Sequence, residues 1–198
     1  MTKRVAVFVS GGGTNLQVLL DARQNGILRS GEIALVISSR ADAYALERAK
    51  KAGVPAVALP RKELGLEEFE ARALALLEEY RIDYMVTAGF LTIFSEDFIK
   101  RFPNKIINVH PTLLPAFCGK GFYGLRMHRA ALERGVKITG ATVHFVNEIC
   151  DGGPILLQKA VEVLPGDTPE LLQRRVMEQA EWVLLPRALE MVCAGEQF

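Results

Sequence analysis

The sequence lacks the features that mark membrane proteins and polyanion-binding proteins. None of its apolar runs approaches the ~18–20 residues that a membrane span needs. Its 24 Lys and Arg residues nearly balance its 23 Asp and Glu residues, which gives a formal net charge of +1. Charge therefore provides no argument for nucleic acid or a membrane as a partner. The sequence leaves both a monomer and a homodimer open.

Cysteine is scarce, and no secretory signal is apparent. Cys118, Cys150 and Cys193 are odd in number and widely spaced, so they form neither a disulfide framework nor a zinc pattern. The basic N-terminus leads into the apolar run Val5–Val9, which is shorter than the roughly 7–15 residues of a signal-peptide core. We therefore interpret this run as a first β-strand and expect a cytoplasmic protein.

Short apolar runs alternate with segments of helical period along the whole chain. The predicted strands are 5–9, 33–38, 54–59, 84–88, 106–109, 139–146 and 154–163. The predicted helices are 43–52, 66–80, 95–102, 127–134 and 168–194, together with one that follows residue 15. This alternation predicts one domain over residues 1–198. Its fold class is α/β, with a doubly wound, mostly parallel twisted sheet and one antiparallel strand near the C-terminal side.

Three groups of polar or glycine-rich residues follow predicted strands. They are the turn at Gly11–Asn15, the loop at Gly89–Phe94, and the pair Asn108 and His110. In sheets of this class, ligands bind beyond the carboxyl ends of the strands. We therefore expect the three groups to converge on one site.

The first group follows Ser10 directly, and we call residues 10–15 together the anion turn. Glycines after a strand let the backbone curl, and the helix N-terminus that follows offers free N–H groups to an anion. Thr14 and Asn15 add side-chain donors. The stretch is not a dinucleotide fingerprint, because it lacks the spacing Gly-x-Gly-x-x-Gly. It is not a Walker loop either, because no Gly-Lys-Ser/Thr follows. It predicts phosphate binding, and a tight turn without a ligand is the alternative.

Asn108 and His110 stand two residues apart on an extended segment, so their side chains point the same way. An Asn amide can donate to a developing oxyanion, and a His can carry a proton near neutral pH. Asp151, in an Asp-Gly-Gly loop, could fix the tautomer of His110. A hydrogen-bonded histidine at a strand end and an Asp-Gly turn are the alternatives. The residues by themselves leave this choice open.

Five stretches together resemble one known family. They are 10–17, 88–94, 107–115, 140–146 and 151–155. Asn-x-His-Pro-x-Leu-Leu-Pro and Asp-Gly-Gly-Pro are typical of folate-dependent formyltransferases. The Gly-Gly-Thr-Asn-Leu start narrows the resemblance to the phosphoribosylglycinamide formyltransferase family, from Val5 to about Leu189.

The resemblance implies a Rossmann-like enzyme of de novo purine (IMP) biosynthesis. It would transfer the formyl group of 10-formyltetrahydrofolate, its co-substrate, to the amine of 5-phosphoribosylglycinamide. The amine would attack directly and form a tetrahedral intermediate, without a metal and without a covalent enzyme intermediate. Asn108 would polarise the formyl oxygen and contact the folate, while His110 would be the general acid and base. Asp151 would hold His110 in its active state, with His144 in support.

The resemblance also implies binding residues. Gly13, Thr14 and Asn15 would hold the substrate phosphate. Glu181 would contact the ribose, on a helix that carries one extra residue relative to many members. The folate pocket would be lined by Leu91, Thr92, Ile93 and Phe94.

The chain departs from the family pattern in three places. Thr92 and Leu66 stand where many members have Arg, so the folate tail would have to be held differently. The glycine-rich segment 117–124 is longer than in many members, and we predict that it is a mobile lid. We refer to these residues as the lid segment.

Three other functions remain as alternatives. The catalytic half of methionyl-tRNA formyltransferase would need a nucleic-acid-binding domain and a basic balance of charge. Formyltetrahydrofolate hydrolase would need an additional regulatory domain at the N-terminus. We expect neither domain here. The third alternative, a phosphosugar-binding module without catalysis, would not require the intact set Asn108, His110 and Asp151.

Overall fold

The computed structural model describes residues 2–196. Its strands are β1 (Lys3–Val9), β2 (Gly31–Ser38), β3 (Ala56–Ala58), β4 (Tyr84–Thr87), β5 (Ile106–His110), β6 (Ile138–Phe145) and β7 (Ile155–Glu162). Its helices are α1 (Thr14–Gln24), α2 (Tyr44–Lys51), α3 (Arg61–Glu79), α4 (Glu96–Lys100), α5 (Arg126–Arg134), α6 (Pro169–Val176) and α7 (Trp182–Ala194), with a π-helical segment (Met177–Glu181) between the last two. No helix in this part of the chain is long and apolar enough to cross a membrane.

The seven strands form one sheet in the order β3-β2-β1-β4-β5-β6-β7. Neighbours from β3 to β5 pair in parallel, whereas β6 is antiparallel to both β5 and β7. Strand β6 is therefore the single reversed strand, and β7 runs with the others. The predicted mostly parallel sheet with one antiparallel strand is confirmed.

The interior strand β1 supplies side chains to hydrophobic cores on both faces of the sheet. Val5, Val7 and Val9 pack on one face, in the core that includes α1 and α7. Ala6 and Phe8 pack on the other face, with α3 and α4. Successive strand residues point to opposite faces, which explains why β1 is apolar without alternation.

Helix α3 begins at Arg61, five residues before the predicted start at Leu66. Gly65 interrupts the helix with φ 80 and ψ 169, a conformation that favours glycine. A short turn therefore precedes Gly65, and the predicted helix follows it.

The C-terminal helix covers the predicted range but contains one π-helical segment. The Thr168 hydroxyl accepts a hydrogen bond from the Leu171 N–H, and Pro169 occupies the first turn, as predicted. Residues spaced by four are buried throughout: Leu172, Val176, Ala180, Leu184, Ala188 and Val192. On an ideal α-helix such a row drifts by ~40° at each step. The wider π turn reduces this drift and keeps the row on the sheet.

Candidate active site

A cavity of about 580 Å³ lies beyond the carboxyl ends of β1, β4 and β5. All three predicted groups contribute to its wall, and so do the lid segment and the π-helical segment. The sequence-predicted residues in the wall are Thr14, Asn15, Leu91, Thr92, Ile93, Asn108, His110, Asp151 and Glu181. The structure therefore brings together side chains from both ends of the chain.

The anion turn is held in place by helix α2. Gly13 adopts φ 72, and a Cβ atom there would lie 2.6 Å from the Ala45 Cβ atom. The Ala45 N–H donates to the Gly11 carbonyl at 3.1 Å, and Arg48 Nε donates to the Gly12 carbonyl at 2.7 Å. Gly13 thus packs on α2 and is not part of the cavity wall. The first N–H groups of α1, which have no intrahelical partner, begin beside the cavity.

Asn108 is oriented by two neighbours. The Thr87 hydroxyl donates to Asn108 Oδ1 at 2.7 Å, and Asn108 Nδ2 lies 3.2 Å from His144 Nε2. His144 Nδ1 lies 2.8 Å from the Phe145 carbonyl, so Nδ1 carries the proton and Nε2 accepts from Asn108. Asn108 lines the cavity and has a second amide N–H, which can donate to a bound ligand.

His144 is an uncharged member of this network. Burial lowers its pKa, although the Phe145 carbonyl opposes the shift. Its Nε2 atom lies 3.8 Å from Asp151 Oδ1, but a neutral ring that accepts from Asn108 makes no ion pair with that carboxylate. His144 lies outside the cavity wall and contacts it through Asn108.

His110 is buried, and both of its ring nitrogens face oxygen atoms. Nε2 lies 3.2 Å from the Phe117 carbonyl, and Nδ1 lies 3.5 Å from Asp151 Oδ1. A carbonyl and a carboxylate can only accept, so a neutral ring donates to one of them and a ring with both N–H groups donates to both. The 3.5 Å separation is an ion-pair distance and too long for a strong hydrogen bond.

Asp151 connects His110 to the lid segment. Its backbone has φ 56, a left-handed conformation in which Asp is several-fold enriched. Oδ2 accepts a hydrogen bond from the Gly119 N–H at 2.8 Å, which leaves Oδ1 on the side of His110. The carboxylate therefore contacts the two groups at once.

Glu181 lies next to the anion turn, although 166 residues separate it from Asn15. It is 6% exposed, and its Oε2 atom accepts a hydrogen bond from Asn15 Nδ2 at 2.9 Å. Burial raises the pKa of this carboxyl group to about 7, and the Asn15 hydrogen bond opposes the shift. Asn15 Oδ1 is buried and has no hydrogen-bond partner within residues 2–196. Polar atoms that can form further hydrogen bonds therefore lie close together at this end of the cavity.

The 89–94 loop forms the apolar end of the cavity. Leu91 and Ile93 are 62% and 59% exposed, and they line the wall with Thr92. Phe94 does not belong to the wall. Its ring packs at 5.2 Å from the Phe8 ring and at 4.4 Å from the Phe98 ring. The expectation that 91–94 all line the pocket is wrong at Phe94, because this ring is buried in the aromatic cluster.

Sequence reasoning missed His128, which also lines the cavity. Its side chain is fully buried, and neither ring nitrogen has a hydrogen-bond partner in the described part of the chain. Burial, with a smaller contribution from His110, lowers its pKa to about 4. Its position on the inner face of α5, directly after the lid segment, was the available signal.

Cys118 and Cys150 flank the contact between the lid segment and Asp151. Burial and the nearby Asp151 charge raise the pKa of both thiols, so neither has the thiolate character of a nucleophile. Within residues 2–196, no group of three or more His, Cys, Asp or Glu side chains could hold a metal ion.

The chain is similar to known proteins over nearly all its length. It is 40% identical to phosphoribosylglycinamide formyltransferase of Haemophilus influenzae, covering 98% of this chain and 88% of that protein. It is 39% identical to the chloroplastic phosphoribosylglycinamide formyltransferase of Arabidopsis thaliana, covering 89% of this chain and 61% of that protein. Several other relatives are much longer, and the chain spans 14–18% of their length.

Solved structures agree with these similarities. The chain superposes on glycinamide ribonucleotide transformylase 1 of Symbiobacterium toebii with a TM-score of 0.90 and 44% identity, covering 98% of this chain and 89% of that one. The family model described as formyl transferase matches residues 3–189. The chain belongs to the formyl transferase family, and its similarity is to the phosphoribosylglycinamide formyltransferases within it.

Proposed function

We propose that this protein transfers a formyl group from 10-formyltetrahydrofolate to the amine of 5-phosphoribosylglycinamide, a step of de novo purine biosynthesis. One observation carries the proposal. In a chain of this family, Asn108 and His110 share one cavity with the polar residues of the anion turn and with the apolar residues of the 89–94 loop. Such a cavity fits a phosphorylated acceptor on one side and a ring-bearing donor on the other.

The acceptor occupies the polar end. Its phosphate binds the N–H groups at the start of α1 and the side chains of Thr14 and Asn15. The ribose hydroxyls donate to Glu181, whose carboxyl has one hydrogen bond from Asn15 and free lone pairs beside it. This placement brings the glycinamide amine toward Asn108 and His110.

The donor occupies the apolar end, where its ring system contacts Leu91, Thr92 and Ile93. These side chains offer apolar surface without charge, so the donor is held there by burial of its rings. The formyl group of the donor then reaches Asn108.

Asn108 stabilises the charge that forms on oxygen. When the amine attacks the formyl carbon, the carbonyl oxygen becomes an oxyanion, and the second amide N–H of Asn108 donates to it. Thr87 and His144 keep the amide in the required orientation because they occupy Oδ1 and the other N–H. The Asn108 N–H is therefore oriented before the substrates bind, so little reorganisation is needed during the reaction.

His110 moves the proton. The attacking amine must lose a proton, and the departing folate nitrogen must gain one, so a single imidazole can serve both. Asp151 at 3.5 Å stabilises the protonated ring between these transfers. The new carbon–nitrogen bond to the acceptor forms first and gives the tetrahedral intermediate. The carbon–nitrogen bond to the folate then breaks as the oxyanion becomes a carbonyl again, and no covalent enzyme intermediate or metal takes part.

A product assay with three parallel mixtures tests the proposal. The protein receives donor plus 5-phosphoribosylglycinamide, donor alone, or donor plus methionyl-tRNA, and products are identified by mass spectrometry. We expect formylated product only in the first mixture. Formate released at the same rate from donor alone would indicate a hydrolase, and formyl-methionyl-tRNA would indicate the tRNA enzyme. Binding of either ligand without turnover would indicate a binding module.

A further inference from the structure

One buried hydroxyl group joins the two ends of the cavity. Ser10 follows β1 and is the first residue of the anion turn, and it is 3% exposed. Its Oγ atom accepts a hydrogen bond from the Leu91 N–H at 3.0 Å and lies 2.6 Å from Ser39 Oγ. A serine hydroxyl can accept from Leu91 and donate to Ser39 at the same time.

The 89–94 loop depends on this contact. In residues 2–196, the Leu91–Ser10 hydrogen bond is the one that residues 89–94 make with the rest of the chain. Packing fixes both ends of the apolar stretch, because the Phe90 and Phe94 rings lie 5.4 and 5.2 Å from the Phe8 ring. The middle of the loop, where Leu91 and Ile93 face the cavity, has no such packing.

The same residue begins the turn that would hold the acceptor. Helix α2 fixes Gly11 and Gly12 through their carbonyl groups, so Ser10 is part of a backbone segment with defined geometry. The hydrogen bond from the Leu91 N–H to Ser10 Oγ therefore fixes the position of Leu91 relative to the anion turn.

We propose that Ser10 is a positioning residue that couples the anion turn to the 89–94 loop and so holds the middle of that loop in place to bind the donor. This inference rests on the proposed function. Ser10 touches neither substrate. It acts through the Leu91 backbone, and its effect is on donor binding.

Steady-state kinetics of Ser10→Ala test the coupling. We expect the KM for 10-formyltetrahydrofolate to rise about three- to ten-fold, the cost of one hydrogen bond. The kcat and the KM for 5-phosphoribosylglycinamide should stay within about two-fold. Ser39→Ala is the matched control, because it removes the other hydroxyl of the same buried pair and leaves the Leu91 bond intact. A donor KM that is unchanged in Ser10→Ala, or raised equally in Ser39→Ala, overturns the proposal.

Hydrogen exchange gives a second readout that does not depend on activity. The Leu91 amide should exchange about ten-fold faster in Ser10→Ala than in the wild type or Ser39→Ala. Ser10→Cys, which keeps a side chain of similar size but accepts hydrogen bonds weakly, serves if the alanine variant does not fold. If the wild type transfers no formyl group, the proposed function fails, and unchanged Leu91 exchange would separately refute the contact.

Discussion

The two ends of the cavity bind by different physical means. At the acceptor end, Asn15 and Glu181 are buried and hydrogen-bonded to each other. Helix α2 holds the anion turn, to which Asn15 belongs, through a backbone hydrogen bond. At the donor end, Leu91 and Ile93 are exposed on a loop with one hydrogen bond to the rest of the described chain. With the proposed function, prearranged polar groups would recognise the acceptor, whereas apolar surface on a loop with few contacts would receive the donor.

The largest expected effect is on kcat, at Asn108 and His110. Asn108→Ala and His110→Ala should each lower kcat by on the order of 10²-fold or more, because each removes a group used mainly in the transition state. Both KM values should change far less. Steady-state kinetics on folded protein, checked by circular dichroism, measure this. Near-wild-type turnover in either variant would refute the assigned roles.

The acceptor end gives the next effect. Glu181→Ala should raise the KM for 5-phosphoribosylglycinamide about ten- to a hundred-fold, because the hydrogen bonds from the ribose hydroxyls to this carboxyl group are lost. The donor KM should stay within about two-fold. Glu178→Ala is the matched control, since Glu178 is exposed on the same π-helical segment and pairs with Arg174 at the surface. Equal effects of the two variants would contradict the difference between the ends.

The donor end should respond less and in the opposite pattern. Leu91→Ala removes an exposed apolar contact and leaves the backbone N–H in place, so the donor KM should rise about three- to ten-fold. The acceptor KM should not change. Initial rates with each substrate varied in turn provide the measurement. If Leu91→Ala affects the acceptor as strongly as the donor, the two ends are not separate.

The pH dependence of stability tests the acceptor end of the cavity without a substrate. The pKa of Glu181 is raised from its ordinary value of 4.5 to about 7 in the folded protein, so the folded state binds more protons than the unfolded state between these values. The free energy of unfolding should therefore fall as pH rises from about 4.5 to about 7, by roughly 3 kcal/mol in total. Glu181→Gln should lack this slope. Urea unfolding across this range compares the two proteins, and parallel pH profiles would refute the assignment.

Local patterns in the sequence predicted much of this arrangement. The strand at 106–109 and the proline after it, with the two-residue spacing of Asn108 and His110, were enough to direct both side chains into one cavity. The glycines at 11–13 indicated the turn, and Thr168 with Pro169 marked the start of the last helix. In each case the chemistry of neighbouring residues determines the conformation.

Contacts between distant parts of the chain could not be predicted in this way. Phe94 is buried by rings from β1 and α4, and Glu181 reaches Asn15 through a π turn. The hydrogen bond from Leu91 to Ser10 joins residues 81 positions apart. No local pattern encodes such contacts, because packing between elements decides them.

The most direct test of the account is transfer of a ¹³C-labelled formyl group in a single turnover. The wild-type protein, in excess over labelled 10-formyltetrahydrofolate, is mixed with 5-phosphoribosylglycinamide, and the product is followed by mass spectrometry. The account predicts that the label moves to the acceptor amine, and that Asn108→Ala slows this by on the order of 10²-fold while both ligands still bind. Label recovered as formate, or transfer at the same rate in Asn108→Ala, would contradict it.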